Sequence, residues 1–143
     1  MLKKSKRAFS LIEVLIAIAI VALGASLAVP VVKGEKDRAA YKISQINLKS
    51  IGKAMEKHYL EKGVYPVFND WAEVCSEESP LREYLDPIPE KDGFQRVYKV
   101  NNSTDTAYEF HGFSIKGKQS ENFPDYKCVT GAKLKNKKAG ADE

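Results

Sequence analysis

Residues Phe9 to Val32 form 24 consecutive positions carrying one charge, Glu13. As an α-helix at 1.5 Å per residue, this run reaches roughly 36 Å, enough to cross a hydrocarbon core of about 30 Å. It follows a basic head, Met1-Leu2-Lys3-Lys4-Ser5-Lys6-Arg7-Ala8. A basic head before an apolar run is the general pattern of a secretory signal, whose apolar core spans only about 7–15 residues. This run is longer. It closes on Pro30-Val31-Val32 and not on an A-x-A-like cleavage site, so the segment is expected to remain in the mature protein.

The rest of the chain is polar and charge-rich, and it pulls the mean hydropathy down to −0.38 over 143 residues. Such a composition excludes a disordered chain, a disulfide-dense miniprotein and a polytopic membrane protein. The formal net charge of +4 belongs to the head: outside the first eight residues, bases and acids balance at 19 each. Nucleic acid is therefore not indicated as the main partner.

Charge alone orients the span weakly, because Lys33, Lys36 and Arg38 follow it closely. Two cysteines, Cys75 and Cys128, both lie in the polar part. An even pair fits an oxidising compartment, which places the N-terminus in the cytoplasm and the C-terminal domain outside; two free cytosolic thiols are the alternative. A disulfide closing this loop of 54 residues would add up to roughly 4 kcal/mol in the chain-entropy model.

Glu13 needs a reason. An acid at the centre of a spanning helix costs about 3 kcal/mol on insertion scales, less near the end. Its neighbours Leu11, Ile12, Val14 and Leu15 offer nothing to neutralise it. Snorkelling to the interface is the simplest structural account.

The stretch Arg7-Ala8-Phe9-Ser10-Leu11-Ile12-Glu13-Val14-Leu15-Ile16 resembles the class III signal of type IV pilins and type II secretion pseudopilins. The likeness covers the basic leader, a cut before Phe, a Glu five residues into the mature chain, the long apolar helix and a proline at Pro30. Ala8 departs from the family's usual Gly before the cut. The resemblance implies that a prepilin peptidase cuts between Ala8 and Phe9 and N-methylates Phe9. It also implies that Glu13 of one subunit meets the Phe9 amine of its neighbour during assembly. Two unit charges about 4 Å apart attract by about 4 kcal/mol at an effective dielectric near 20. Desolvation removes much of that, so the pair sets register more than affinity.

The expected fold is α+β and pilin-like: a long N-terminal helix, membrane-spanning then amphipathic, packed on a small antiparallel sheet. Residues 1–8 form the leader, 9–32 the spanning and polymerisation helix, 33–62 its amphipathic continuation, and 63–143 the globular domain with a frayed tail from about 133. Ala40, Ile43, Leu48, Ile51, Met55 and Tyr59 make the apolar stripe of the continuation. Gly63 caps it and Pro66 prevents resumption. Beyond residue 62 lie five of six prolines and 11 of 14 aromatics, so that part owns the aromatic core. One helical turn is expected over Asp70–Val74 and a Ser-capped short helix over Ser79–Leu85. Strands are expected over Phe94–Val100, Thr106–Ile115 and Tyr126–Thr130, with turns at Asn101–Asp105 and Lys116-Gly117-Lys118.

Little points to catalysis. His58 and His111 have no nucleophile or carboxylate at triad spacing, and no CxxC exists. Asp86, Glu90, Asp92, Asp105 and Asp125 are scattered acids without a calcium-loop pattern, so no cofactor or metal is expected and calcium is not supported. The sequons at Asn101 and Asn102 read as chance matches. The basic tail Lys133, Lys135, Lys137 and Lys138 reads as a solvated charge run.

The resemblance implies a non-enzymatic filament subunit in the inner membrane. Its expected partners are itself, related minor subunits, the prepilin peptidase and an inner-membrane assembly platform. The layout after Gly63 (Gly63-Val64-Tyr65-Pro66, then Tyr84-Leu85 leading to Asp92-Gly93) resembles a secretion pseudopilin and favours that reading, while the cysteine pair favours a type IV pilin. A signal-anchored periplasmic binding module or enzyme is the alternative from another class. Pro30 lacks a backbone N–H, and Gly24 and Gly34 are weak helix formers, so a bend or local melting is expected there in an assembled filament. Hydrogen exchange on filaments should show residues 24–34 less protected than Ile43–Met55; equal protection would refute the bend.

Overall fold

The computed structural model describes residues 8–115 and 122–136, with the side chains of 27–33 outside the description. Residues 1–7 of the leader, the expected turn at Lys116–Lys118 and residues 137–143 of the expected tail lie outside the described residues. The chain divides into two units, residues 1–36 and 37–143.

Helix α1 spans Leu11–Lys62, 52 residues. Gly63 ends it in the left-handed region at φ 78°, where its N–H donates to Tyr59 O at 2.8 Å. A residue without Cβ adopts that conformation at no steric cost. The helix assignment continues through Gly24, Pro30 and Gly34, so the isolated chain has no break where the filament is expected to bend.

In the second unit, α1 buries Tyr41, Ser44, Leu48, Ile51 and Met55. Their spacings alternate between three and four, which keeps them on one face. The expected stripe is rotated: Ile43 is 51% exposed and Tyr59 41% exposed, while Tyr41 and Ser44 are inside. Contacts from the sheet side set this rotation. Tyr98 Oη donates to Ser44 O at 2.7 Å, Gly93 N donates to Ser44 Oγ at 2.8 Å, and Tyr41 Oη donates to Pro124 O at 2.6 Å. Gly93 comes so close that a Cβ there would lie 2.4 Å from Ala40 O.

Two short helices precede the sheet. Helix α2, Trp71–Cys75, starts at Asp70, whose side chain accepts from Glu73 N. A 3₁₀ turn over Pro80–Glu83 starts at Ser79, which accepts from Leu81 N, with Pro80 in the first position. The Ser79 cap is the expected one, while Asp70, expected inside its helical turn, stands before it as the cap; both have the usual chemistry of such starts.

Four antiparallel strands follow in the order β1 (Lys99–Ser103), β2 (Tyr108–Gly112), β3 (Tyr126–Val129) and β4 (Lys133–Asn136). Val100, Phe110, Cys128 and Leu134 pair across all four and form one inward apolar row. Three expectations need correction. First, β1 begins at Lys99, not Phe94. Asp92 Oδ1 accepts from Phe94 N and Arg96 N, and Gln95 sits at φ 63°, so residues 92–96 form a tight loop. Second, β1 runs through Asn101–Ser103, and the turn falls later, where Thr104 N donates to Ala107 O and Thr104 Oγ1 accepts from Ala107 N. Third, residues 133–136 are a strand and not a tail, because Leu134 finds Cys128 opposite it.

The loop after residue 90 is tied down by one ion pair. Asp92 is 3% exposed, and its Oδ2 accepts from Arg96 Nε at 2.9 Å. The Arg96 guanidinium lies over the rings of Phe94 and Phe113, 4.9 and 5.5 Å from their centroids, and donates to the carbonyls of Phe113 and Ser114.

Glu56 is a second hub. Its carboxylate accepts from Tyr65 Oη at 3.0 Å, Tyr108 Oη at 2.9 Å and Gly131 N at 2.6 Å. Tyr108 Oη in turn accepts from Ala132 N at 2.9 Å. Helix, post-helix loop, β2 and the β3–β4 turn thus meet on one side chain. Burial first, then Glu56, pushes the Tyr65 hydroxyl up to about 12.

Cys75 and Cys128 stand as free thiols, which corrects the expected disulfide. They serve different contacts. Cys128 is fully buried, and its Sγ lies where a Cβ on Gly52 would be, 2.5 Å from that position. Cys75 ends α2, and its carbonyl accepts from Arg82 Nη2 at 2.7 Å. Burial raises both thiols from 9.0, to about 11 for Cys75 with Glu90 adding, and to about 12 for Cys128 with Glu56 adding.

Two outcomes follow from these contacts. Glu56→Ala removes the acceptor shared by Tyr65, Tyr108 and Gly131 and leaves the Tyr108 hydroxyl with Gly52 O at 3.2 Å, and should cost roughly 1–2 kcal/mol in thermal unfolding of the full chain in detergent. A loss below about 0.5 kcal/mol, the usual scatter of surface substitutions, would contradict the hub. For the thiols, a raised folded pKa favours the protonated form. Their contribution is intact below pH 9.0 and is lost as pH rises through about 11 and 12. At pH 8 the native chain should resist alkylation and take up two equivalents only after denaturation without reductant. Failure to label after denaturation would restore the disulfide.

Candidate functional site

The sequence concentrates its functional residues in 8–30. Helix α1 starts there on a reciprocal cap. Ser10 N donates to Glu13 Oε2 at 3.2 Å, and Glu13 N donates to Ser10 Oγ at 3.3 Å. Ser-x-x-Glu at the cap and third helical positions satisfies two N–H groups that have no partner within the helix. A carboxylate in the first turn also faces the positive end of the helix dipole. Glu13 still has no local counter-charge here, but its carboxylate is hydrogen-bonded. The signal was in the sequence as Ser10-Leu11-Ile12-Glu13, and Ser10 is the site residue that sequence reasoning missed.

Around this cap everything apolar is exposed. Phe9 is 85% exposed, Leu11 79% and Ile12 65%, with Leu15, Ile16, Ile18, Ile20, Val21 and Leu23 all above half. A helix apolar on all sides has no inward face of its own, and its stable setting is lipid or other helices. The arrangement therefore presents one charged group, already hydrogen-bonded, inside a continuous apolar surface. Ala8 and Phe9 precede the helix outside regular secondary structure, and both are exposed. Gly24 has open space around it, with nothing within 4 Å of where a Cβ would stand. Pro30 lies in the helix, with its side chain outside the description.

Among the described residues, no helix is long and apolar enough to cross a membrane. The fully described apolar part of α1, residues 11–26, rises about 24 Å, short of a core of about 30 Å.

The remaining candidates are engaged in structural contacts. His58 Nδ1 lies 2.8 Å from Val64 O, and His111 Nε2 lies 3.7 Å from Asp125 Oδ2. Of the acids weighed as calcium ligands, Asp86 pairs with Arg82 at 2.9 Å, Asp92 with Arg96, and Asp125 accepts from Ser114 N at 2.7 Å. Among the described residues, no three His, Cys, Asp or Glu side chains are placed to hold a metal together.

No curated protein matches the chain. Residues 3–29 match the family model described as the prokaryotic N-terminal methylation motif. That stretch contains Ala8, Phe9, Ser10, Glu13 and Gly24. With the capped Glu13 and the all-round apolar surface, the match shows that the chain carries the class III prepilin-like signal of type IV pilins and pseudopilins, joined to an α+β domain.

Proposed function

We propose that the chain is a structural subunit of a type IV pilus-like filament, held in the inner membrane by residues 9–32 before assembly. A prepilin peptidase cuts between Ala8 and Phe9 and methylates the new amine of Phe9. The cut removes the four leader charges, and methylation keeps the amine cationic. Subunits then associate through the apolar surface of α1 once the helices leave lipid, and an assembly platform supplies the energy. The observation that carries this reading is the single carboxylate of Glu13 in residues 9–26, an otherwise uncharged and exposed stretch, inside a matched methylation motif. The loop layout after Gly63 supports a type II secretion pseudopilin over a surface pilin. The free thiols of Cys75 and Cys128 support the same reading, since the cysteine pair favours a pilin only as a disulfide.

Glu13 has two roles to separate: cap and counter-charge. Glutamine preserves the capping hydrogen bond and removes the charge. If the charge drives assembly, Glu13→Gln should insert into membranes, begin at methylated Phe9 by intact mass, and yield little sheared filament. If only the cap matters, Glu13→Gln assembles normally and Ser10→Ala is the defective variant. A native chain that keeps Met1 beside an active peptidase would overturn the whole reading.

A further inference from the structure

The outer side of the sheet is rich in lysine, and the segment of residues 70–90 is rich in carboxylates. On the side away from α1, the strand register aligns Lys99, His111, Lys127 and Lys135 in one row, with Lys133 beside it. Their inward neighbours Val100, Phe110, Cys128 and Leu134 fix this row as outward. Lys127 and Lys135 stand directly opposite one another, an arrangement that costs stability without an anion nearby. Glu109 reaches Lys127 at 3.3 Å, but Lys99, Lys133 and Lys135 make no ion pair among the described residues. His111 and Lys127 each face an acid, Asp125 and Glu109, while Lys99, Lys133 and Lys135 are exposed.

On the α1 side, residues 70–90 hold seven carboxylates against one arginine. Trp71 packs on the inward rings of Tyr98 and Phe110 at 5.1 and 5.5 Å, and Tyr84 Oη donates to Glu61 of α1 at 2.5 Å. Arg82 is consumed by Asp86 and by the carbonyls of Cys75 and Ser76. Glu77, Glu78 and Glu83 are exposed and make no ion pair among the described residues.

We propose that the lysine face of the sheet docks the Glu77–Glu83 segment of a second copy. The contact joins two different patches, so it repeats head to tail and propagates instead of closing a dimer. It rests on the filament reading above and names the contact between neighbouring globular domains within it. Nucleic acid fits the lysine row less well: no aromatic is interleaved in it, and the chain without its leader is neutral.

The test uses the full chain in the producing cell. Lys133→Glu/Lys135→Glu and Glu77→Lys/Glu78→Lys should each lower sheared polymer by about tenfold at physiological salt. Combining all four substitutions in one chain should restore it, which a folding defect would not allow. In membranes, Glu78→Cys in one tagged copy and Lys135→Cys in another should join through a short bismaleimide, whereas two copies of Glu78→Cys should not. That crosslink reads the contact whether or not filaments form, and its absence overturns the proposal. So do normal polymer from both charge variants, no rescue by the combination, or loss of DNA retention by the lysine variant with polymer intact. A wild-type chain that keeps its leader and forms no polymer instead refutes the filament reading.

Discussion

Residues 37–143 depend on how closely the sheet approaches α1. Cys128 occupies the space that a side chain at Gly52 would fill, and the Gly93 backbone sits against Ala40 in the same way. With the two layers that near, tyrosine hydroxyls reach the helix backbone itself, from Tyr98 to Ser44 O and from Tyr108 to Gly52 O. Buried hydroxyls need such partners, because an unmade hydrogen bond costs the full desolvation of the group. The aromatic richness beyond residue 62 is therefore a bridging device as well as apolar filling. Glu56 collects what remains at the far end, where the β3–β4 turn and the loop after Gly63 converge.

Much of this was legible in the sequence, for identifiable reasons. The helix end at Gly63, the Ser79 cap and the third strand each rest on local chemistry that neighbours do not override. What failed depended on partners outside the segment being read. The stripe on α1 turned because Tyr98 and Gly93 select Ser44 and Ala40. Phe94 left its strand because Asp92 captures two backbone N–H groups. Residues 133–136 looked like a charged tail because their pairing depends on Cys128. The site was legible through Phe9 and Glu13, yet Ser10 escaped notice: attention to the cost of the acid hid the ordinary cap beside it.

That cap changes how Glu13 is understood. In the isolated chain the carboxylate is not bare. It holds the first turn of α1 through Ser10, and the helix dipole favours it there. Any intermolecular partner must compete with, or share, an existing hydrogen bond. A carboxylate has enough acceptor sites to do both. The same side chain can order its own helix start and still present an oxygen to a neighbour.

The Arg96 guanidinium, between Phe94 and Phe113 and locked to Asp92, couples two stretches far apart in sequence. Through Gly93 and Ser44 the same knot is fastened to α1. The 92–96 loop, the end of β2 and the Ala40–Ser44 turn of α1 are therefore held by one fastening, and a substitution that loosens Arg96 would release all three together.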